Sequence, residues 1–92
     1  MDAKTLGKRI DAAQVNIRVC AVVSQIPACS SMSVEHVWRE LDELRRVHFT
    51  GPGDVADALR VAVGRKLLRA RKAQRNEYIG VTPKPRLYEH IL

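Results

Sequence analysis

Basic side chains are concentrated in one part of this 92-residue chain. From Gly53 to Arg86, nine basic residues stand against three acidic ones, whereas residues 1–52 hold seven basic and six acidic residues. The formal net charge of +6 therefore comes almost wholly from this segment. Clustered ammonium and guanidinium groups attract phosphates and other polyanions. The pattern favours a nucleic-acid partner, and a solvated basic face that only keeps the protein soluble is the alternative.

Residue patterns typical of catalysis are missing from the sequence. It has no Gly-rich phosphate loop, no HExxH motif and no nucleophile elbow. The histidines His36, His48 and His90 are far apart and have no nucleophile context. Cys20 and Cys29, the only cysteines, lack further ligands at zinc-binding spacing. We expect no enzyme activity, no cofactor and no metal, and two free thiols in preference to a disulfide.

The composition is that of an ordinary globular chain, with 46% apolar and 28% charged residues. Its length allows one domain, 1–92, with a modest core. The longest apolar run is interrupted by Asn16 and Arg18 and is too short to cross a bilayer. Met1–Lys4 lead into no apolar signal region. We expect a cytoplasmic protein without a membrane partner, and a nuclear location is the alternative.

The segment Asp11–Ile26 is predicted to be the first helix, after a possible N-terminal arm at 1–10. Asp11 with Gln14 resembles a capping box, and Pro27 sets the end. A strand is the rival interpretation, because residues 15–19 are rich in β-branched side chains and alternate. The helix has two apolar faces, so we expect it to be sandwiched within the protein or to meet a second copy. The first face holds Val15, Val19, Val22 and Ile26, and the second holds Ala13, Ile17 and Cys20.

Two further helices are predicted after a linker at 28–32. Ser33 is a good N-cap for a helix that runs to about Arg46, with Trp38 as a core anchor. Its apolar stripe comprises Val34, Val37, Trp38, Leu41 and Leu44. Phe49 is expected to pack inward, and Thr50 or Asp54 to cap a third helix that ends near Gly64.

A two-stranded ribbon is predicted to follow the third helix. Leu67–Lys72 and Glu77–Thr82 alternate as strands, joined by a turn at Ala73–Asn76. Leu68, Ala70, Ile79 and Val81 are expected to face the core, and Arg69 and Arg71 to face outward. The residues 84–92 form a tail whose apolar side chains dock either on the first helix of the same chain or on a partner subunit. A homodimer would then use the helix 11–26 and the tail 87–92.

The order helix, helix, turn, helix, two-stranded hairpin resembles a winged helix-turn-helix DNA-binding domain. SMSVEHVWREL is similar to the supporting helix and GDVADALRVAVGRKLLRAR to the recognition helix that leads into the wing. EYIGVTPK is similar to the returning wing strand of MarR-like bacterial and phage regulators. The resemblance covers about residues 11–83. It implies an α+β, mainly α fold and a small dimeric transcriptional regulator that binds double-stranded DNA.

The resemblance also implies which residues contact DNA. The third helix would lie in the major groove, where Arg60 reaches bases and Arg65 reaches bases or phosphates. Thr50 would bond a phosphate at the helix start. The wing's contacts to the backbone or the minor groove would come from Lys66, Arg69, Arg71, Lys72, Gln74, Arg75 and Asn76.

Two acidic residues weigh against the helix as the source of affinity. Asp54 and Asp57 stand at its start, where carboxylates suit the helix dipole but repel phosphate. The basic wing is therefore expected to supply more of the affinity than the helix. The alternative function is a protein-interaction module of the same fold that binds an acidic protein within a larger complex. RNA binding is a weaker alternative, because no strand is rich in aromatic residues for base stacking.

Overall fold

A computed structural model describes the backbone of residues 3–74 and 85–91, and the side chains of residues 12–74 and 85–91. These residues form four helices and three strands, and all of these elements except the short helix Glu43–Arg46 contribute to one hydrophobic core. The elements are α1 (Ala3–Gln25), β1 (Ser31–Ser33), α2 (Val34–Glu40), α3 (Glu43–Arg46), α4 (Pro52–Gly64), β2 (Leu68–Lys72) and β3 (Arg86–His90). The expected α+β class is confirmed.

The first segment is a helix, so the strand interpretation is wrong. α1 begins at Ala3, which means that its backbone continues through most of the segment predicted as an arm. It ends at Gln25, as expected from Pro27 two residues later. Val19, Val22 and Ile26 are buried. The second apolar face is not covered by the described residues, because Ala13, Ile17 and Cys20 are exposed.

The predicted second helix is broken into two. Ser33 caps α2 as expected, since its hydroxyl accepts a hydrogen bond from the His36 backbone N–H at 3.2 Å. Leu41 then takes an extended conformation (ψ 129°), and Asp42 starts α3 by accepting from the Arg45 N–H at 2.9 Å. The break turns Leu44 out of the predicted stripe, and its side chain is 84% exposed.

Arg46 stabilises this break. Its Nη2 donates to the carbonyl oxygens of Trp38 at 2.6 Å and Arg39 at 3.3 Å, near the end of α2. Its guanidinium also lies 4.6 Å from the centre of the Trp38 ring. Trp38 packs against the core but is only half-buried, so it serves both the core and this cation–π contact.

One side of α4 lies deep in the core. Val55, Ala58, Leu59 and Ala62 follow one another at helical spacing, and each is buried. Phe49, in the turn before the helix, is buried as predicted. Pro52 takes the first helical position, where its missing N–H costs nothing. Gly51 is the N-cap and makes no side-chain bond, so neither Thr50 nor Asp54 is the cap residue itself.

The sheet is antiparallel, with the described strands in the order β1–β3–β2. Met32, Tyr88 and Ala70 pair across the three strands and pack on the core. β2 is confirmed, but its partner β3 comes from the segment predicted as a tail, and β1 from the predicted linker. Leu87 and Tyr88 are thus buried in the chain's own sheet and cannot serve a dimer contact. The predicted strand Glu77–Thr82 and Leu92 lie outside the described residues.

We predict that the core face of α4 dominates folding stability. Leu59→Ala removes a fully buried side chain and should lower the free energy of unfolding by about 2–5 kcal/mol. Leu44→Ala is the matched control, because this leucine is exposed, and should change it by less than about 0.5 kcal/mol. Urea denaturation measures both values, and similar losses in the two variants would contradict this packing.

Candidate nucleic-acid interface

The exposed side of α4 continues directly into basic residues. We define the basic surface as Arg60 on α4, Arg65 and Lys66 in the turn after it, and Arg69, Arg71 and Lys72 on β2. Arg71 is half-buried and the other five are exposed. α4 and β2 both pack on the core, so rigid elements hold this surface.

The turn between α4 and β2 sets the direction of the basic surface. The Lys66 N–H donates to Val63 O and the Leu67 N–H to Ala62 O, both at 3.0 Å. This is a Schellman motif, in which the residue after the C-cap adopts a left-handed conformation. Lys66 takes that position with φ 62°, instead of the predicted Gly64. A lysine is strained there by about 1–2 kcal/mol, where a glycine is not.

The start of α4 is fixed to α1 by Arg18. The Arg18 Nε donates to the carbonyl oxygen of His48 at 2.6 Å, and its Nη2 lies 3.4 Å from Asp54 Oδ2. Gln14 also donates to the His48 carbonyl, at 3.0 Å. The guanidinium stands 5.9 Å from the centre of the Phe49 ring. Two side chains of α1 thus hold the turn that orients α4.

Asp54 turns back over this turn instead of facing outward. Its Oδ2 accepts from the Thr50 backbone N–H at 2.7 Å and from the Thr50 hydroxyl at 2.6 Å. These two hydrogen bonds, with the positive charge of Arg18, hold the pKa of Asp54 below its ordinary value, against the opposing effect of partial burial. The carboxylate therefore accepts hydrogen bonds from two donors of the turn, the N–H and the hydroxyl of Thr50. Thr50 would have to release Asp54 before donating to a phosphate.

Two arginines of the basic surface make polar contacts near α4. Arg60 Nη1 lies 3.3 Å from Asp57 Oδ1, and both side chains are highly exposed, at 77% and 68%. Arg65 Nη1 donates to the side-chain oxygen of Asn16 on α1 at 2.8 Å. Exposed pairs of this kind contribute between zero and about 1 kcal/mol. Both guanidinium groups can therefore be drawn into contact with another anion at little cost.

Glu89 on β3 partly neutralises the β2 arginines. Its Oε1 accepts from Arg71 Nε at 2.7 Å, and its Oε2 lies 3.3 Å from Arg69 Nη2. Arg71 Nη2 also donates to the hydroxyl of Ser31 at 3.3 Å. The antiparallel register places Ser31, Glu89 and Arg69 in one cross-strand row. Arg71 is thereby oriented along the sheet, whereas Arg69 keeps a 60% exposed side chain.

The remaining predicted contact residues follow β2. Lys72 and Gln74 are both exposed. Arg75 and Asn76 lie outside the described residues. The structure therefore brings together six basic residues of the predicted set, from Arg60 to Lys72, and places Thr50 at the opposite end of α4.

Four residues of this region have roles that were not predicted from the sequence. Gln14, Arg18 and His48 build the support under α4, and Glu89 balances the β2 arginines. Arg18 carried a signal, because it is the lone charge in a long apolar stretch and needs a partner. Glu89 carried none, since only the strand register reveals its neighbours.

Other kinds of site find little support in the described parts of the chain. Residues 3–74 and 85–91 hold no group of three or more His, Cys, Asp or Glu side chains placed to bind a metal ion. Cys20 and Cys29 are free thiols, as expected, and both are exposed. None of the described helices is long and apolar enough to span a membrane.

Comparison of the chain with protein-family models, with curated proteins and with solved structures finds no match. The assignment of a function therefore depends on the residues and geometry of the chain itself.

We predict a pH-dependent loss of stability from Asp54→Asn. Because the folded state lowers the pKa of Asp54, the carboxylate's stabilisation is complete above its unfolded value of about 3.9 and is lost as pH falls through the folded value. The variant loses two hydrogen bonds to a charged acceptor, so it should be less stable than wild type by about 1–2 kcal/mol at pH 7, and the difference should shrink below about pH 4.

Asp57→Asn is the matched control for this experiment. It removes the same charge from the same helix, at a highly exposed position. Its stability should follow that of wild type from pH 7 down to pH 3, as measured by urea denaturation at each pH. An Asp54→Asn deficit that stays constant over this range would contradict the role of the ionised carboxylate.

Proposed function

We propose that this protein is a small sequence-specific DNA-binding regulator with a winged helix-turn-helix arrangement. In this proposal α4 enters the major groove, and the turn at Lys66 and the strand β2 bind the phosphate backbone. The observation that carries it is the division of α4 into a buried face and an exposed face that leads into the basic surface. An exposed helix beside such a cluster of cations suits a duplex, whose phosphates flank the groove.

The two acidic residues at the start of α4 should repel the phosphates of DNA less than the sequence alone suggests. Asp54 is directed to Thr50 and Arg18, so its charge is already balanced within the protein. Only Asp57 remains highly exposed, and Arg60 lies beside it. The outward side of α4 therefore carries one carboxylate and one guanidinium. This arrangement leaves Arg60 as the candidate for reading bases, because its planar guanidinium can donate two hydrogen bonds to one guanine.

The order of elements gives further support to the winged-helix interpretation. α2 and α3 precede α4, and two paired strands follow it with residues 73–85 between them. Compared with the expected order, the second helix is divided, and β2 pairs with β3. The segment that would form the wing tip, including Arg75 and Asn76, lies outside the described residues.

A protein-interaction module that binds an acidic partner is the second candidate function. The observation that favours it is Glu89, which pairs with two arginines of β2 and so lowers the positive charge that a phosphate backbone meets there. An acidic protein could replace Glu89 as the partner of Arg69. A stoichiometric complex that survives nuclease treatment, without binding to any duplex, would favour this candidate over DNA binding.

We predict that Lys66→Gly separates stability from DNA binding. Glycine fits the left-handed position without strain, so the variant should be more stable than wild type by up to about 1 kcal/mol. Loss of the ammonium group should weaken binding to every duplex and reduce the slope of log K against log salt by about one. Fluorescence anisotropy at several salt concentrations measures the slope.

Arg45→Ala is the control for the loss of one positive charge. Arg45 lies on α3, away from the basic surface in the sequence, and pairs with Asp42, so its removal should leave the salt slope unchanged. Equal slopes for wild type and Lys66→Gly would contradict a phosphate contact at Lys66.

We further predict that Arg60 and Lys72 differ in their effect on specificity. Arg60→Gln should reduce the preference for a preferred duplex over a scrambled one by about 1–3 kcal/mol, because a bidentate contact to a base is lost. Lys72→Gln should weaken both duplexes by a similar factor. Competition binding with the two duplexes measures this preference, and a uniform loss for Arg60→Gln would refute its base-reading role.

A further inference from the structure

The helix α4 offers two polar side chains that are directed outward. Its thirteen residues include three with polar side chains, which are Asp54, Asp57 and Arg60. Asp54 accepts two hydrogen bonds from Thr50 and pairs with Arg18, so it is directed toward the protein. Whatever α4 reads in a DNA groove through side-chain polar groups must therefore be read by Asp57 and Arg60.

These two side chains stand between two exposed glycines. Gly53, Asp57, Arg60 and Gly64 are all exposed and follow one another at spacings of four, three and four residues, so they share one face. Within the part of the chain that the structure describes, a Cβ built at either glycine would meet nothing within 4 Å. Packing therefore does not require these glycines. Their bare backbone lets the helix approach a partner closely, which a side chain as short as that of aspartate needs in order to reach a base.

Asp57 and Arg60 present an acceptor and a donor side by side. Arg60 Nη1 lies 3.3 Å from Asp57 Oδ1. In the major groove, guanine presents the acceptors O6 and N7, and cytosine presents the N4 amino group as a donor. Successive bases of one strand lie about 3.4 Å apart along the axis. Two groups as close as these would contact the same base pair or two neighbouring ones.

We propose that Asp57 reads a cytosine next to the guanine that Arg60 reads, and that it is a specificity-determining residue of the DNA site. The inference rests on the proposed function and names the bases that α4 selects. An ionised carboxylate can only accept hydrogen bonds, and cytosine is the base whose major-groove edge presents a donor without an acceptor. Thymine and guanine present acceptors, and adenine has an acceptor beside its donor. Asp57 thus excludes these bases by repulsion.

The carboxylate also changes what Arg60 prefers to bind. An exposed guanidinium is attracted to any phosphate, whatever the sequence of the duplex. Asp57 partly neutralises this attraction, and it repels phosphates itself. The pair therefore lowers the affinity of α4 for the backbone of every duplex. It recovers that affinity where a guanine and a cytosine offer matching groups.

A change of one functional group tests the proposal. Asp57→Asn replaces the acceptor-only carboxylate by an amide, which can form two hydrogen bonds with N6 and N7 of adenine. Selection of duplexes from a random pool by wild type should enrich a guanine with a cytosine in the same or a neighbouring base pair. Selection by Asp57→Asn should retain the guanine and replace the cytosine by adenine. The variant should fold like wild type, because the Asp57 side chain is 68% exposed.

Competition binding then measures the size of the switch. The two competing duplexes are those that the two proteins select, and they differ only at the position assigned to Asp57. Wild type should prefer the cytosine duplex by about fivefold or more, and Asp57→Asn should prefer the adenine duplex. Asp57→Ala should bind both duplexes more tightly than wild type and distinguish them by less than about twofold.

Glu43→Gln is the matched control for the loss of one negative charge. Glu43 is exposed and lies on α3 instead of α4. This variant has the same net charge as Asp57→Asn, and it should select the wild-type sequence with the wild-type preference.

The outcomes separate this inference from the proposed function. If both Asp57 variants lose the preference for guanine, Asp57 only orients Arg60, and the cytosine contact is refuted. If both bind every duplex more tightly with an unchanged preference, Asp57 only repels phosphates, and the inference fails while DNA binding stands. A wild-type sequence without a cytosine beside the guanine has the same consequence. If wild type retains no duplex, the proposed function and this inference fail together.

Discussion

The contact of Arg18 with the turn before α4 is the interaction on which the candidate interface depends. One guanidinium bonds the His48 carbonyl, pairs with Asp54 and lies against Phe49. It thereby joins the middle of α1, the turn and the first helical turn of α4. A partly buried cation needs such partners, because its desolvation is otherwise costly. Asp54 is held over the turn chiefly by its two hydrogen bonds from Thr50, and Arg18 adds a weaker ion pair. Together these contacts direct an acidic side chain away from the side of α4 that is proposed to meet DNA.

The basic side chains from Arg60 to Lys72 are not equally available to bind an anion. Arg69 and Arg71 share Glu89, and Arg71 is held along the sheet by Ser31 as well. Arg60 and Arg65 each make one exposed side-chain contact, to Asp57 and Asn16. Lys66 is notable because it occupies a left-handed position where glycine is unstrained. We therefore expect most of the affinity for DNA to come from one part of the wing, the turn after α4 together with the exposed side chains of β2.

Local signals in the sequence predicted the helices best. Pro27 and the Ser33 cap predicted helix boundaries that agree with the structure within about two residues. The apolar spacing of α4 also predicted its buried face. The break after Glu40 was missed because Leu41 and Leu44 continue the apolar spacing by coincidence. Asp42, a good N-cap residue, was the available signal. β3 was missed since Leu87 and Tyr88 are adjacent and both buried, so the strand shows no alternation. The contacts of Arg18 and Glu89 join residues distant in sequence, and only the tertiary structure brings them together.

The central claim is that this protein binds duplex DNA and distinguishes its sequence. Selection of bound duplexes from a random pool at low salt tests both parts of the claim in one measurement. Duplexes should be retained, and a common sequence should be enriched over successive rounds. If the protein dimerises through α1, the enriched sequence should contain two half-sites related by two-fold symmetry. Failure to retain any duplex would contradict DNA binding, and retention of a pool that stays random would contradict sequence recognition.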